Sequence, residues 1–211
     1  MSSERSIDFY FDFLSPYGYF GSTQIDDLAE RHGYTVNWKV FLVGAAFKQT
    51  GQKSAAERTP TVQQYGLQDI LRQAAYFGAP FKFPKVFGTS VLPPSRAYYW
   101  LYDRDKSLAH QFAKKVYHNV FAMDVDLRKS ENLAPIIADL GFDSTEVLDW
   151  AGSEEGKERF RHETDAALER GVFGSPYFFV GDQRFWGSDR INTLEWWLMT
   201  HGARAAEVTI K

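Results

Sequence analysis

The sequence predicts an α/β chain in which a small sheet is interrupted by a long helical block. Three observations predict it. A period-2 aromatic run near the N-terminus leads into a helical pattern and a second strand-like run. Two short strand-like runs near the C-terminus are joined by Gly181-Asp182. Between them, apolar spacing turns helical and strand signals nearly vanish.

Each element follows from its spacing. In "IDFYFDFL", Ile7, Phe9, Phe11 and Phe13 alternate with Asp8, Tyr10, Asp12 and Leu14. The first set is apolar throughout, and Tyr10 and Leu14 add apolar surface to the other face, which fits a central strand. Residues 16–31 are expected to form one helix, with Ile25, Leu28 and Ala29 at helical spacing and Gly33 as its stop. "YTVNWKVFLV" is the next strand, with Tyr34, Val36, Trp38 and Val40 on one face. A crossover helix of this length normally joins parallel strands.

From about Gly44 to Glu169 helices dominate. "TVQQYGLQDILRQAAYFG" is helical, "GAPFKFPKVFGTSVLPPS" is a loop, and four further stretches show i, i+3, i+4 spacing. The last of these, "DSTEVLDWAGSEEGKERFRHETDAALERG", runs to Gly171. Leu108, Phe112, Val116, Val120 and Met123 are expected to form a core-facing stripe. "SPYFFV" and "QRFW" then read as a hairpin about Gly-Asp, and "GSDRINTLEWWLMTHG" as a capped closing helix. Removing the block leaves β-α-β-α-β-β-α, the order of a thioredoxin-like domain. That domain is expected to be discontinuous, residues 5–45 and 166–211, with residues 46–165 as an all-helical insertion.

Composition narrows the chemistry. The 211 residues are 44% hydrophobic and 17% aromatic, enough for a large aromatic core. The chain has no cysteine, which excludes disulfides, thiolate nucleophiles and cysteine metal sites. Any sulfur chemistry must use sulfur from a small molecule. The net charge of -3 offers no nucleic-acid footprint. No apolar run reaches the roughly 18 residues of a membrane span, and "MSSERS" lacks an apolar signal core, so a cytoplasmic protein is expected. The five histidines are scattered without the i, i+4 spacing of helical metal ligands, so no metal is expected.

Three places can carry chemistry. Ser15-Pro16 stands at a strand-to-helix junction, where Ser is a preferred cap and Pro a preferred first residue. A hydroxyl there could instead donate to a bound anion such as a thiolate. In "GVFGSPYFFV", Pro176 begins a strand, after a bond that can be cis. It is either a plain strand-starting proline or a bend exposing the backbone of Ser175 to an extended peptide ligand. In "FWGSDRI", Ser188 or Asp189 either caps the last helix or helps hold a ligand carboxylate and ammonium.

"FYFDFLSPYGY", "FLVGAAFKQTGQ" and "ERGVFGSPYFFVGDQRFWGSDR", with the helical block between them, resemble the 2-hydroxychromene-2-carboxylate isomerase family. That family is related to DsbA and to kappa-class glutathione transferases. The resemblance spans nearly the whole chain and is most specific from Gly171 to Arg190. It implies glutathione as cofactor, bound by the thioredoxin-like (DsbA/kappa-type) domain, a small-molecule substrate covered by the helical insertion, and a homodimer. Ser15 stands where the redox relatives carry cysteine and is implied as the catalytic residue. Ser15, Ser175, Pro176, Trp186, Gly187, Ser188 and Asp189 are the implied glutathione residues. Lys48, in the loop after the second strand, Gln52 and Phe87 are implied on the substrate side. The chain departs from the family at Gln52, where Asn is usual, and at Thr61-Val62, where a lysine is often found. The implied reaction is cis–trans isomerisation by transient thiol addition. A kappa-like transferase using the same Ser15, or a non-catalytic glutathione or peptide binding module, are the alternatives.

Overall fold

A computed structural model describes residues 5–85 and 91–201. Its sheet has four strands in the order β2-β1-β3-β4. They are β1 (Ser6–Phe11), β2 (Thr35–Val40), β3 (Tyr177–Val180) and β4 (Gln183–Trp186). β1 pairs in parallel with β2, Phe9 opposite Trp38, and antiparallel with β3, Phe9 opposite Phe178. The hairpin closes with Val180 opposite Gln183, leaving Gly181-Asp182 as the turn. The central place of β1 explains its composition. Ile7, Phe9 and Phe11 are fully buried on one face. Tyr10 packs on the other with Phe41, Tyr177 and Phe179, closed by Ala46 and Ala167. Phe9 stacks on Phe11 and Phe178 with centroids 5.1 and 5.2 Å away and meets Trp38 edge-on at 4.9 Å.

The helix expected over residues 16–31 is two helices, α1 (Pro16–Ser22) and α2 (Ile25–Arg31). The break falls at Thr23, whose hydroxyl donates to Phe20 O at 2.8 Å and so competes with the helical ladder. Helix α3 (Val43–Thr50) follows β2 after two residues. Lys48 is therefore in the last turn of a helix, not in a loop. α4 (Pro60–Tyr76), α5 (Leu92–Tyr102), α6 (Lys106–Phe121), α7 (Ser130–Ala138), α8 (Ser144–Gly152) and α9 (Glu154–Glu169) follow, and α10 (Ile191–His201) closes the described chain. The long run after residue 143 is split at Ser153, whose Oγ accepts from Gly156 N at 3.2 Å and caps α9. α3 spans residue 45 and α9 spans residue 165, so the sheet and the helical block share helices rather than meeting at linkers.

The core stripe of α6 is shifted from the expected one. Phe112, Val116 and Val120 are buried, joined by Tyr117 and Phe121. Met123 lies past the end of the helix and is 56% exposed. Of the histidines, His110 is neither solvated nor hydrogen-bonded through Nε2, a buried atom without a partner among the described residues, and its ring stacks on Trp38. No helix among the described residues is long and apolar enough to cross a membrane.

The helical block is sewn to the sheet by two tyrosines. Tyr98 donates to Trp38 O at 2.9 Å and Tyr99 donates to Val40 O at 2.6 Å. These carbonyls belong to the edge strand β2, and α5 satisfies groups that an uncovered edge would leave unpaired. Both hydroxyls are buried, so each Tyr→Phe change strands a buried carbonyl. Tyr98→Phe or Tyr99→Phe is expected to cost about 1–3 kcal/mol, read by denaturant titration. A loss within error would show that the contacts only fill space.

Candidate functional site

The site begins where β1 ends. Asp12 folds the chain back on itself: its Oδ1 accepts from Leu14 N at 2.8 Å, and Ser15 N donates to Asp12 O at 2.9 Å. This turn delivers Ser15 as the N-cap of α1, with Pro16 at the first helical position. Ser15 Oγ accepts from Gly18 N at 3.0 Å, the bond expected of a cap. The same oxygen donates to Ser175 O at 2.8 Å. A hydroxyl has one proton, so that donor is committed to the carbonyl.

Ser175 and Pro176 join through a cis peptide bond at the start of β3. Ser175 Oγ accepts from Asp12 N at 2.9 Å, and Pro176 O accepts from Gly187 N at 3.0 Å. The Ser175 N–H has no hydrogen-bond partner among the described residues. The structure thus brings Ser15, Ser175, Pro176 and Gly187 together, although Ser15 and Ser175 are 160 residues apart.

Three groups the sequence reading missed support this arrangement. Tyr117 is fully buried on α6 and donates to Asp12 O at 3.0 Å. Gly18 lies directly against it: a Cβ there would sit 2.5 Å from Tyr117 Oη and 2.9 Å from Ser175 Oγ. Asp12 uses its second carboxylate oxygen to accept from Val43 N, the first residue of α3, at 3.0 Å. Burial pushes the Asp12 carboxyl up, against the opposing pull of the Leu14 and Val43 N–H groups. Burial, followed by the Asp12 charge, raises Tyr117 well above the usual phenol range, so it stays a neutral donor. Asp12 carried one sequence signal, an Asp two residues ahead of a bonded N–H. Tyr117 lies one residue beyond the i, i+4 row through Val116, so its aim was not visible.

The second pole follows β4. Trp186 is 47% exposed and packs edge-on against Phe173, with Gly174 so close that a Cβ would strike its Nε1. Gly187 takes φ 108, a conformation that favours glycine, and leads into a 3₁₀ turn over Ser188–Arg190. Ser188 does not cap. It is 1% exposed, and its hydroxyl donates to Gln73 Oε1 at 2.5 Å. The Asp189 carboxylate is exposed and lies 3.5 Å from Arg190. Gln73 Nε2 donates to Asp69 Oδ2 at 3.0 Å, and Tyr17 donates to the same oxygen at 2.9 Å. Burial and Asp69 together hold the Tyr17 phenol far above its usual range. A polar row, Tyr17–Asp69–Gln73–Ser188, therefore spans α1, α4 and the 3₁₀ turn. The i, i+4 pair Asp69/Gln73 was visible on a helix face, but not what it faced.

The substrate-side residues are only partly placed. Lys48 is exposed and has no ion pair among the described residues. Gln52 follows Gly51, which ends α3 in the left-handed region at φ 70. Neither hydrogen-bonds to Ser15, Ser175 or Ser188. Phe87 lies outside the described residues. Among the described residues no cluster of His, Asp and Glu could hold a metal.

The chain resembles known proteins in sequence and fold. Residues 6–198 match the family model described as DSBA-like thioredoxin domain. A 2-hydroxychromene-2-carboxylate isomerase of Sphingobium xenophagum is 32% identical over 197 residues, 92% of this chain and 98% of the relative. Glutathione s-transferase kappa 2 of Caenorhabditis elegans is 29% identical over 203 residues, 90% of each chain. A solved structure of a 2-hydroxychromene-2-carboxylate isomerase superposes with a TM-score of 0.84 at 26% identity, covering 97% of this chain and 100% of that one.

Proposed function

Because the chain belongs to the 2-hydroxychromene-2-carboxylate isomerase family of DSBA-like thioredoxin domains, we propose that it is a glutathione-dependent cis–trans isomerase of a 2-hydroxychromene-2-carboxylate or a closely similar acid. The observation that carries the reading is the Ser15 hydroxyl, which accepts from Gly18 N and donates to Ser175 O.

The residues present fit a γ-glutamyl-cysteinyl-glycine ligand. Ser175 offers an N–H without a partner among the described residues and a carbonyl next to Pro176, which has no N–H of its own. An amide N–H of the ligand that displaces Ser15 from the Ser175 carbonyl would free the hydroxyl proton. Gly18 N keeps its hold on Ser15 Oγ, so only the hydroxyl hydrogen turns, now towards sulfur. The bond that caps the helix and the bond that would hold a thiolate therefore use different faces of one oxygen. α1 is only seven residues long, and helix-end fields fall off within a turn, so the hydroxyl rather than the helix is the main thiolate stabiliser. Bound glutathione would supply a thiolate that adds reversibly to the substrate's conjugated double bond and lets it rotate. Lys48 would steady the substrate carboxylate, with Gln52 and Phe87 beside it, on a substrate side built by residues 46–165. Trp186, Gly187 and Asp189 would meet one end of glutathione. This chemistry belongs in the cytoplasm, and the family resemblance points to a homodimer.

Ser188 meets the ligand only if Gln73 yields, because its hydroxyl is already committed and buried. Gln73→Leu is thus expected to tighten glutathione binding by about threefold to tenfold in calorimetry, the worth of one released hydrogen bond. Weaker binding would mean that Gln73 holds Ser188 in place instead.

The test of the function is an absorbance assay of 2-hydroxychromene-2-carboxylate with and without glutathione. Isomerisation only with glutathione, none of it consumed, is expected. The 29% identity to glutathione s-transferase kappa 2 favours conjugation as the second reading. A stable thioether product that depletes glutathione would select it.

A further inference from the structure

We infer that Asp12 is a positioning residue: its one carboxylate clamps the turn that carries Ser15 to the helix that carries Lys48. The inference rests on the glutathione-dependent reading for its functional consequence, but not for its geometry.

The residue is 8% exposed and fully used. Its N–H donates to Ser175 Oγ, and its C=O accepts from Ser15 N and from Tyr117 Oη. Its Oδ1 accepts from Leu14 N, two residues on, and its Oδ2 accepts from Val43 N, 31 residues on. The backbone atoms thus tie Ser15, Ser175 and α6 together. The side chain alone reaches across to α3. That helix has no side-chain cap at Leu42, and Asp12 supplies from a distant strand end an acceptor for the N–H of its first residue, one of the four with no partner inside the helix. Only an ionised or properly turned carboxyl offers two acceptor oxygens in opposite directions to two N–H groups. Serine or asparagine would satisfy one arm and leave the other N–H buried and unpaired. The side chain thus adds a second tie between the turn that carries Ser15 and the start of the lysine-bearing helix, beside the backbone bond from Phe41 N to Phe11 O. Small misplacements of reacting groups are costly in rate.

Two substitutions separate the arms. Asp12→Asn keeps one oxygen, which the local bond to Leu14 N retains, and turns its amide towards Val43 N. Val43→Pro deletes the Val43 donor and leaves the carboxylate intact. Proline suits this first helical position, and Leu42 already has the extended backbone, φ -89 and ψ 100, that precedes proline comfortably.

Both variants, with Lys48→Ala beside them, are expected to raise the KM for 2-hydroxychromene-2-carboxylate by about tenfold, the worth of one hydrogen bond to a charged group. The glutathione dissociation constant and the titration of the bound thiol should stay at the wild-type values. A residue with only a structural role would lower melting temperature without this split. An unchanged KM in either clamp variant, or parallel losses in KM, kcat and glutathione affinity, would overturn the proposal. Amide hydrogen exchange of the ligand-free protein reads the clamp without any ligand: Leu14 and Val43 should both be protected in the wild type and Leu14 alone in Asp12→Asn. Wild-type protein that binds no glutathione yet shows this exchange pattern would overturn the functional reading and leave the clamp standing. Unprotected amides in the wild type would overturn the clamp itself.

Discussion

Replacing Ser15 with alanine is expected to lower turnover about a hundredfold to a thousandfold, the usual loss when one preorganised donor to a developing anion is removed. Glutathione affinity should change by less than about threefold, because Ser175, Pro176 and the second pole around Gly187 are untouched. The structural cost is separate and smaller. Alanine removes the cap on Gly18 N and the donor to Ser175 O. Loss of an N-cap costs about 1 kcal/mol, and the Ser175 carbonyl, in a half-buried residue, can turn to water. The folded variant should therefore be nearly as stable and nearly as well loaded with glutathione, yet slow. Steady-state kinetics alongside calorimetry checks both halves. Wild-type kcat in Ser15→Ala would remove the serine from the reaction.

Gly18→Ala is expected to lose stability at the site, by about 2 kcal/mol, although it replaces a helical glycine. Alanine is the better helix former by about 1 kcal/mol, so an exposed glycine here would be improved by the change. The space decides otherwise. The added Cβ would lie 2.5 Å from the Tyr117 oxygen, which is fully buried and held by Asp12 O, and 2.9 Å from Ser175 Oγ. Neither partner can retreat without giving up a buried hydrogen bond. Overpacking costs about 1–3 kcal/mol, and the rigidity of this contact points to the upper end, for a net loss of about 2 kcal/mol. Tyr117→Phe alone should lose about 1 kcal/mol with its hydroxyl. In the double variant the closer of the two clashes is gone and only that with Ser175 Oγ is left, so the alanine should cost less than in the wild type. A double-mutant cycle measures that coupling directly. Additive losses would mean that the hydroxyl is not what excludes a side chain at Gly18. The same contact leaves no room for a larger side chain at position 18, because the Tyr117 hydroxyl fills that space.

Much of the fold was legible because its signals are local. The aromatic alternation of β1 and the Gly-Asp turn between Val180 and Gln183 each lie within a few residues. The break at Thr23 was not legible, because apolar spacing runs straight through it and only a side-chain bond to Phe20 O ends the helix. Met123 kept the period of α6 but falls beyond its end, where period has no meaning. At the site, Ser15 and Pro176 stood out as residue types at element boundaries. The bond from Ser15 to Ser175 O, which joins the two places, spans 160 residues and could be expected only through a family resemblance. What Asp12, Tyr117 and Gln73 face was invisible for a related reason. Each looks like an ordinary strand or helix residue until the fold decides what it faces. Ser188 shows the reverse, a residue singled out in the sequence whose hydroxyl the structure spends on Gln73.

The account turns on whether the Ser15 hydroxyl holds a glutathione thiolate, and the most direct test is to titrate bound glutathione by thiolate absorbance near the ultraviolet edge. Free thiols titrate at about 8.5, and in the wild-type complex the transition should fall by about a unit or more. In Ser15→Ala it should return towards the free value while glutathione remains bound. A bound thiol in the wild-type protein that titrates where free glutathione does would contradict the account.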